Sequence, residues 1–248
     1  MSQGVLFYAL ASLAAFSVGL SKGGLPMVGI LGVPILAMVI SPVAAAALLL
    51  PIYIVSDVFG LWIYRHVFDR RNLAILIPAA TLGIAIGWAT ASITSERLVT
   101  FIVGAIGLSY CINALFNRGY AGKKPADIPR GLFWGTLTGF TSFVSHSGGP
   151  PYQIYTLPQK MEKLVFAGTS TILFAIVNLM KAVPYWALGQ FNPGNLQVAA
   201  ILSPVAALGA FLGYRATRIL PEKLFYRIVE VALAVVSVKL LADAYWHS

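Results

Sequence analysis

Long runs of apolar residues, separated by short polar segments, fill most of the 248-residue chain. A helix that crosses a bilayer needs about 20 mostly apolar residues. Six runs approach or exceed that length, and they cover residues 43–64, 73–93, 98–116, 164–189, 195–214 and 224–246. Four other runs are shorter and are broken by Gly and Pro, at 5–20, 25–40, 131–145 and 150–159. Each of these predicts either a short span or one arm of a re-entrant hairpin, so the pattern indicates an all-α chain with about 8–10 membrane segments.

The composition supports this interpretation, because 58% of the residues are hydrophobic and only 10% are charged. Such a chain cannot cover its apolar surface as a soluble globule, and we therefore expect an integral membrane protein. The formal net charge of +9 comes mostly from Lys and Arg in the short loops between the runs. That distribution is typical of membrane topology, so we expect no nucleic-acid partner.

The sequence lacks the signatures of an enzyme, a metal site and a cofactor site. A single cysteine, Cys111, excludes an internal disulfide and a thiolate cluster. The three histidines are scattered at positions 66, 146 and 247, which argues against a catalytic metal centre. The segment "GLSKGG" does not have the spacing of a phosphate-binding loop, so the chain alone is not an ATP-driven pump. We expect no enzymatic activity, no metal and no cofactor.

A weak internal repeat divides the chain into two halves. The segment "GLSKGGLP" at 19–26 is echoed by "VSHSGGPP" at 144–151, and the two Gly-Gly pairs are 125 residues apart. The segment "FDRRNL" at 68–73 likewise matches "FNPGNL" at 191–196. Two homologous halves explain these matches. We predict a first repeat, a basic cytoplasmic linker and a second repeat, which cover 1–118, 119–130 and 131–248.

The distribution of basic residues predicts that the two halves have opposite orientations, because Lys and Arg collect in cytoplasmic loops. The loop at 65–72 contains three Arg residues, whereas its counterpart at 190–195 has no charged residue. Four loops hold 13 of the 17 basic residues, and we place them in the cytoplasm: 65–72, 117–130, 160–163 and 215–227. Both termini then lie outside the cytoplasm, and the halves become two inverted-topology repeats with Gly/Pro-broken or re-entrant helices at the start of each half.

Inverted repeats with interrupted helices are the architecture of secondary transporters, whose binding site lies near the middle of the membrane. Positive helix N-termini, closely approachable Gly main chain, serine hydroxyls and a lysine would together form a cradle for a small anion. The candidate substrate-binding residues are therefore those of the two Gly-Gly motifs, namely Ser21, Lys22, Gly23, Gly24, Ser145, His146, Ser147, Gly148 and Gly149.

The charge of Lys22 is the least expected feature of the first motif, because an ammonium group in hydrocarbon is costly. No carboxylate lies close to Lys22 in the sequence. We therefore expect the transported anion itself to be its partner. The alternative is that the side chain extends to a membrane interface.

A carboxylate inside a membrane segment is expensive enough to be a functional hypothesis in its own right, and Asp57 lies within the run 43–64. Asn178 and Lys181 lie three residues apart on the matching helix, so we predict that the two polar stripes meet. We assign a coupling or gating role to Asp57, Asn178 and Lys181. A structural ion pair between Asp57 and Lys181 stays open, and Asp57 or His146 would be the proton carrier if transport were proton-coupled.

Two segments of the chain resemble the TauE/SafE family of sulfite exporters. They are "SKGGLPMVGILGVPIL" at 21–36 and "SHSGGPPYQIYTLP" at 145–158, and the resemblance extends over essentially the whole chain. It implies an anion permease for sulfite, organosulfonates or related sulfur-containing anions in the bacterial inner membrane. It also implies that Pro26 and Pro151 belong to the two motifs.

The sequence therefore leads to the hypothesis of a secondary transporter that moves a small sulfur-containing anion, most simply outward, by alternating access. The expected partners are the small anion and the lipid bilayer, and we also consider a homodimer. The alternatives are a passive anion channel, an uptake carrier for another small anion, and a membrane assembly or scaffold protein without transport activity.

The inverted orientation can be tested by cysteine labelling. Single cysteines placed at positions 68 and 192, in a background that lacks Cys111, should react with a membrane-impermeant maleimide from opposite sides of the membrane. Labelling of both positions from one side would show that the two halves are parallel.

Overall fold

The computed structural model describes residues 4–116, 123–187 and 193–246, and within these ranges the chain is helical and contains no strand. The α-helices are α1 (Val5–Lys22), α2 (Gly32–Ala37), α3 (Pro42–Tyr64), α4 (Arg70–Ala89), α5 (Glu96–Phe116), α6 (Ile128–Ser145), α7 (Gly149–Thr156), α8 (Lys163–Ala187), α9 (Pro193–Ile219) and α10 (Glu222–Trp246). Two 3₁₀ helices, Pro26–Leu31 and Leu157–Gln159, flank α2 and α7.

Five of the described helices are long and apolar enough to cross a membrane, namely Val5–Lys22, Ala44–Tyr64, Arg70–Ala89, Lys163–Ala187 and Gly194–Ile219. They confirm four of the six long runs as candidate spans. They also show that the run 5–20, for which a short span and a re-entrant arm were both open, belongs to an 18-residue helix. The chain is therefore a multi-pass α-helical membrane protein.

The other two long runs form helices that are less clearly membrane spans. The apolar part of α5 that can be assessed covers Arg97–Asn113. Helix α10 carries charged residues along its whole length, which leaves no uncharged stretch long enough to cross a bilayer; these are Glu222, Lys223, Arg227, Glu230, Lys239 and Asp243. Both runs form helices of the predicted extent, Glu96–Phe116 and Glu222–Trp246, and their role as membrane spans stays a prediction.

The shorter runs produce one arrangement twice. Helix α1 is followed by a 3₁₀ helix and the six-residue α2. Helix α6, which contains the run 131–145, is followed by the eight-residue α7 and a second 3₁₀ helix. At the rise per residue of these helices, each second arm is about 20 Å long, whereas the hydrocarbon core is about 30 Å thick. The second arm of each pair is therefore too short to cross the membrane alone, and each Gly-Gly motif lies between a long and a short helix.

The chain forms two compact units, which consist of Met1–Phe68 with Ala167–Leu220, and of Asp69–Phe166 with Pro221–Ser248. We call them unit 1 and unit 2. Unit 1 contains α1, α2, α3, most of α8, and α9. Unit 2 contains α4, α5, α6, α7 and α10. The units differ from the predicted repeats, because each unit takes helices from both halves of the chain.

In unit 1, glycines allow α1 and α9 to pack with their main chains in contact. A Cβ atom at Gly19 would lie 2.0 Å from the carbonyl oxygen of Ala206, and a Cβ at Gly213 would lie 2.6 Å from that of Leu20. Small residues at a helix interface permit this approach in a membrane, where packing has to supply the association energy. An apolar core of residues from α1, α2, α3 and α9 surrounds the contact.

In unit 2, α4 and α6 pack in the same way. A Cβ at Gly83 would lie 2.0 Å from the carbonyl oxygen of Thr136, and a Cβ at Gly139 would lie 2.0 Å from that of Ala80. These neighbours are main-chain atoms, so the two helices would have to separate to admit even one methyl group.

This close packing predicts that Gly139→Ala destabilises the protein. We expect a loss of about 1–3 kcal/mol or more, the range for overpacking, because the methyl group would meet the main chain of α4. The measurement is the thermal unfolding of purified variants in detergent. Gly4→Ala is the control, because a Cβ at Gly4 has no neighbour within 4 Å. Equal melting temperatures for the two variants would contradict the packing.

Candidate functional site

The first Gly-Gly motif lies beside a buried ion pair in unit 1. Lys22, in the last turn of α1, is 3% exposed, and its Nζ lies 2.6 Å from Oδ1 of Asp57 on α3. Asp57 is 4% exposed. The ammonium also lies 5.2 Å from the ring centroid of Tyr53, which is within the range of a cation–π contact. Burial of the two charges is tolerated because each neutralises the other.

Helix α8 completes the cluster. Nδ2 of Asn178 donates a hydrogen bond of 2.8 Å to Oδ2 of Asp57, whereas Oδ1 makes the ion pair without accepting a hydrogen bond of good geometry. Lys181 is 1% exposed and lies close enough to Lys22 and Asp57 for their charges to interact. The prediction that the stripes of Asp57 and Asn178 meet is therefore confirmed. We call Lys22, Asp57, Asn178 and Lys181 the charged cluster.

The main chain of the first motif is held by helices α3 and α8. The hydroxyl of Tyr64 donates to the carbonyl of Gly23 at 2.6 Å, and the hydroxyl of Thr171 donates to the carbonyl of Lys22 at 3.3 Å. Gly24 has a φ of 121°, which an L side chain rarely adopts. A Cβ at Gly24 would also lie 2.5 Å from the Tyr64 hydroxyl oxygen. The motif is thus a fixed turn in which only glycine fits at position 24.

The expectation that Lys22 has no carboxylate partner is wrong. Asp57 is 35 residues further along the chain, but α3 packs against α1 and brings the carboxylate to the ammonium. Lys22 makes an ion pair with Asp57, and Lys181, which we considered as the partner of Asp57, lies within electrostatic range of the same carboxylate. An anion that reached Lys22 would therefore have to compete with Asp57 or bind beside it.

The expectation that helix N-termini form the cradle is also wrong for the first part of each motif. Ser21 and Lys22 end α1, and Ser145 ends α6, so these residues lie at carbonyl ends that carry a negative partial charge. A lysine is favourable at such an end. The helix that follows the first motif is a 3₁₀ helix of six residues, which begins at Pro26.

The second Gly-Gly motif belongs to unit 2. His146 is half-buried and ends α6 in the left-handed conformation, with a φ of 52°. Gly148 is the N-cap of α7 and Gly149 is its first residue. The next two residues are prolines, which have no N–H group. Any main-chain donors at this end of α7 are therefore those of the two glycines.

The predicted serine hydroxyls already donate to main-chain carbonyls. Ser21 donates to Val18 at 2.6 Å, Ser145 to Thr141 at 3.2 Å, and Ser147 to Ser145 at 3.0 Å. Each hydroxyl would have to leave its carbonyl before it could donate to an anion. In this conformation the cradle depends on charge and main chain more than on hydroxyl groups.

Gln153 on α7 is a buried polar residue that was not predicted from the sequence. Its side chain is 0% exposed, and neither Nε2 nor Oε1 has a hydrogen-bond partner among the described residues. The available signal was a polar amide in the middle of the apolar run 150–159, which ends at a second amide, Gln159. In the described part of the chain, no group of three His, Cys, Asp or Glu side chains could hold a metal ion.

Long apolar helices, short broken helices and a cluster of charges buried between helices define a multi-pass membrane transport protein. The family model of the sulfite exporter TauE/SafE matches residues 10–240 of the chain. The chain therefore belongs to the sulfite exporter TauE/SafE family, which confirms the resemblance carried by its two Gly-Gly segments. No significant match was found among the curated proteins or among the solved structures.

The composition of the charged cluster predicts that Asp57 contributes more to the stability of the protein than Lys22 does. Asp57→Asn removes the carboxylate that faces two ammonium groups, and we expect a loss of about 3–5 kcal/mol, the range for breaking a buried pair. Lys22→Met should cost less, because Lys181 still lies within electrostatic reach of Asp57. Thermal unfolding in detergent gives both values.

The double variant Lys22→Met/Asp57→Asn serves as the control for this comparison, because coupled residues lose less together than the sum of their separate losses. A larger loss for Lys22→Met than for Asp57→Asn, or strictly additive losses, would contradict the described cluster.

Proposed function

We propose that the chain is a secondary transporter that exports a small sulfur-containing anion, such as sulfite or an organosulfonate, across the bacterial inner membrane. Transport proceeds by alternating access at a site near the middle of the membrane, next to the charged cluster of unit 1. Membership of the sulfite exporter family supports the class of substrate. The observation that carries the proposal for this chain is the burial of Lys22 and Lys181 beside a single carboxylate, at the end of an interrupted helix.

The balance of charge in the cluster favours an anion. When Lys22, Lys181 and Asp57 are all ionised, the three side chains have a formal charge of +1. Excess charge is costly in a membrane interior, so an anion that entered the cluster would lower its electrostatic energy. Asp57 holds Lys22 in place in the present conformation. An arriving anion would share or replace that contact, so its affinity would be set by competition with Asp57.

The packing of the helices supports the proposed inverted repeat. In the proposed repeat, α1 corresponds to α6 and α9 corresponds to α4. The glycine contact of α1 with α9 in unit 1 then has its counterpart in the glycine contact of α4 with α6 in unit 2. The sequence of a long helix, a Gly-Gly break and a short helix also occurs once in each proposed repeat.

Export is the favoured direction on energetic grounds. An inside-negative membrane potential drives an anion outward by about 2.3 kcal/mol per charge per 100 mV. Export therefore needs no coupling ion, whereas uptake would need one. If the chain took up its substrate, Asp57 would be the first candidate to carry the coupled proton.

Counterflow in proteoliposomes tests the function. Vesicles loaded with unlabelled sulfite should accumulate external labelled sulfite transiently, because a carrier exchanges substrate at one alternating site. Lys22→Met should weaken the apparent affinity by about 1.5–3 kcal/mol, the range for a hydrogen bond to a charged group. Lys22→Arg should restore binding only in part, because a planar guanidinium replaces a compact ammonium in a tight turn.

Lys239→Met is the matched control, because Lys239 forms its ion pair with Asp243 on α10 in unit 2. Flux without counterflow would favour a channel, and the absence of flux for every sulfur anion tested would favour an assembly or scaffold protein. Wild-type affinity in a folded Lys22→Met preparation would remove Lys22 from the site.

A further inference from the structure

Gln153 is a buried polar residue in unit 2, and its side chain lacks a hydrogen-bond partner in the part of the chain that the structure describes. Both its Nε2 and its Oε1 are buried and lack a hydrogen-bond partner among the described residues. The other buried side-chain atoms in this state are single oxygens, one on Asp57 and one on Ser170. Buried amides in proteins are normally hydrogen-bonded, because an unsatisfied amide loses the interactions that it had with water.

The neighbouring polar side chains show that the segment can satisfy such groups. In the described range 149–159, the hydroxyls of Tyr155 and Thr156 donate to the carbonyls of Asp127 and Tyr152, at 3.1 and 2.8 Å. Gln159 exchanges two hydrogen bonds with Asn72, of 2.8 and 3.1 Å. Gln153 and Gln159 are therefore a matched pair of buried glutamines, and only Gln159 has protein partners.

The position of Gln153 connects it with the second Gly-Gly motif. It lies four residues after Gly149, so it is on the same face of α7, one turn further along. Gly149 adds no side chain to that face. A small ligand at the Gly148–Gly149 turn would thus meet the main chain first and the amide of Gln153 next.

We propose that Gln153 is a substrate-binding residue that donates from Nε2 to an oxygen of the transported anion. This inference rests on the proposed function and adds a contact that the anion makes within unit 2. A small hydrated oxyanion suits the whole amide, because an anion oxygen accepts from Nε2 and a water molecule of its hydration shell donates to Oε1. An unsatisfied amide that lowers stability is expected at a binding site, since function and stability compete there.

The test compares Gln153→Met with Gln159→Met in the full chain, purified in detergent. Melting temperature without ligand and affinity for sulfite and for sulfoacetate are measured for each variant. Gln153→Met should melt at the wild-type temperature or above it, and its affinity for the anion that binds should fall roughly tenfold to a hundredfold. Gln159→Met should melt several degrees lower, because Asn72 loses both of the hydrogen bonds that it shares with Gln159, and its anion affinity should be unchanged.

Gln153→Glu provides an independent measurement that depends on charge. A carboxylate in place of the amide would repel the anion, so the affinity should fall further than in Gln153→Met. The inference would be overturned by two results obtained together. Gln153→Met would melt at a lower temperature or fail to fold, and Gln153→Glu would bind the anion with full wild-type affinity. The amide of Gln153 would then be structural.

The two proposals fail in different ways. A wild-type protein that responds to neither anion would overturn the proposed function and this inference together. A wild-type response that Gln153→Met retains in full would overturn the inference alone and leave the proposed function standing.

Discussion

The ion pair between Lys22 and Asp57 is the constraint on which the rest of unit 1 depends. Each charge alone would be costly among apolar helices, so the two stay within contact distance as long as no other ion takes the place of either one. This contact holds the end of α1 against α3. The hydrogen bond from Asn178 to the second carboxylate oxygen of Asp57 then joins α8 to the same site. Tyr64 and Thr171 then hold the motif's carbonyls from the same two helices. The break in the membrane helix is therefore stabilised from several sides.

Each of the two Gly-Gly motifs follows a long helix, but their side chains differ in chemistry. The first has a full ammonium charge and an internal counterion, within unit 1. The second has a histidine in a left-handed turn, two prolines that remove main-chain donors, and the unsatisfied amide of Gln153 one turn later. Two motifs that share a Gly-Gly pair therefore need not have the same role. We assign charge recognition to the first motif and neutral hydrogen bonding to the second.

Much of this arrangement could be predicted from the sequence, and the rest depends on which helices pack together. Apolar runs identified the long helices. The polar stripe that contains Asn178 and Lys181, three residues apart, predicted the contact between Asn178 and Asp57. The partner of Lys22 could not be predicted, because no local pattern indicates that α3 returns to the end of α1. The polarity of the helix ends was readable in principle, since glycine favours helix C-termini. The missing hydrogen-bond partners of Gln153 are a tertiary property, since Gln153 and Gln159 look alike in the sequence and only the fold distinguishes them.

The glycine contacts also have a mechanical consequence. Where the main chain of α1 sits in a notch formed by Gly209 and Gly213 of α9, neither helix can slide by a turn without driving a side chain into a carbonyl group. The pair has one register and behaves as a single rigid rod. Any motion within unit 1 that opens or closes a path for an ion must therefore leave this rod intact. A motion that bent the chain between residues 23 and 32 would first have to break the hydrogen bonds by which Tyr64 and Thr171 hold the end of α1.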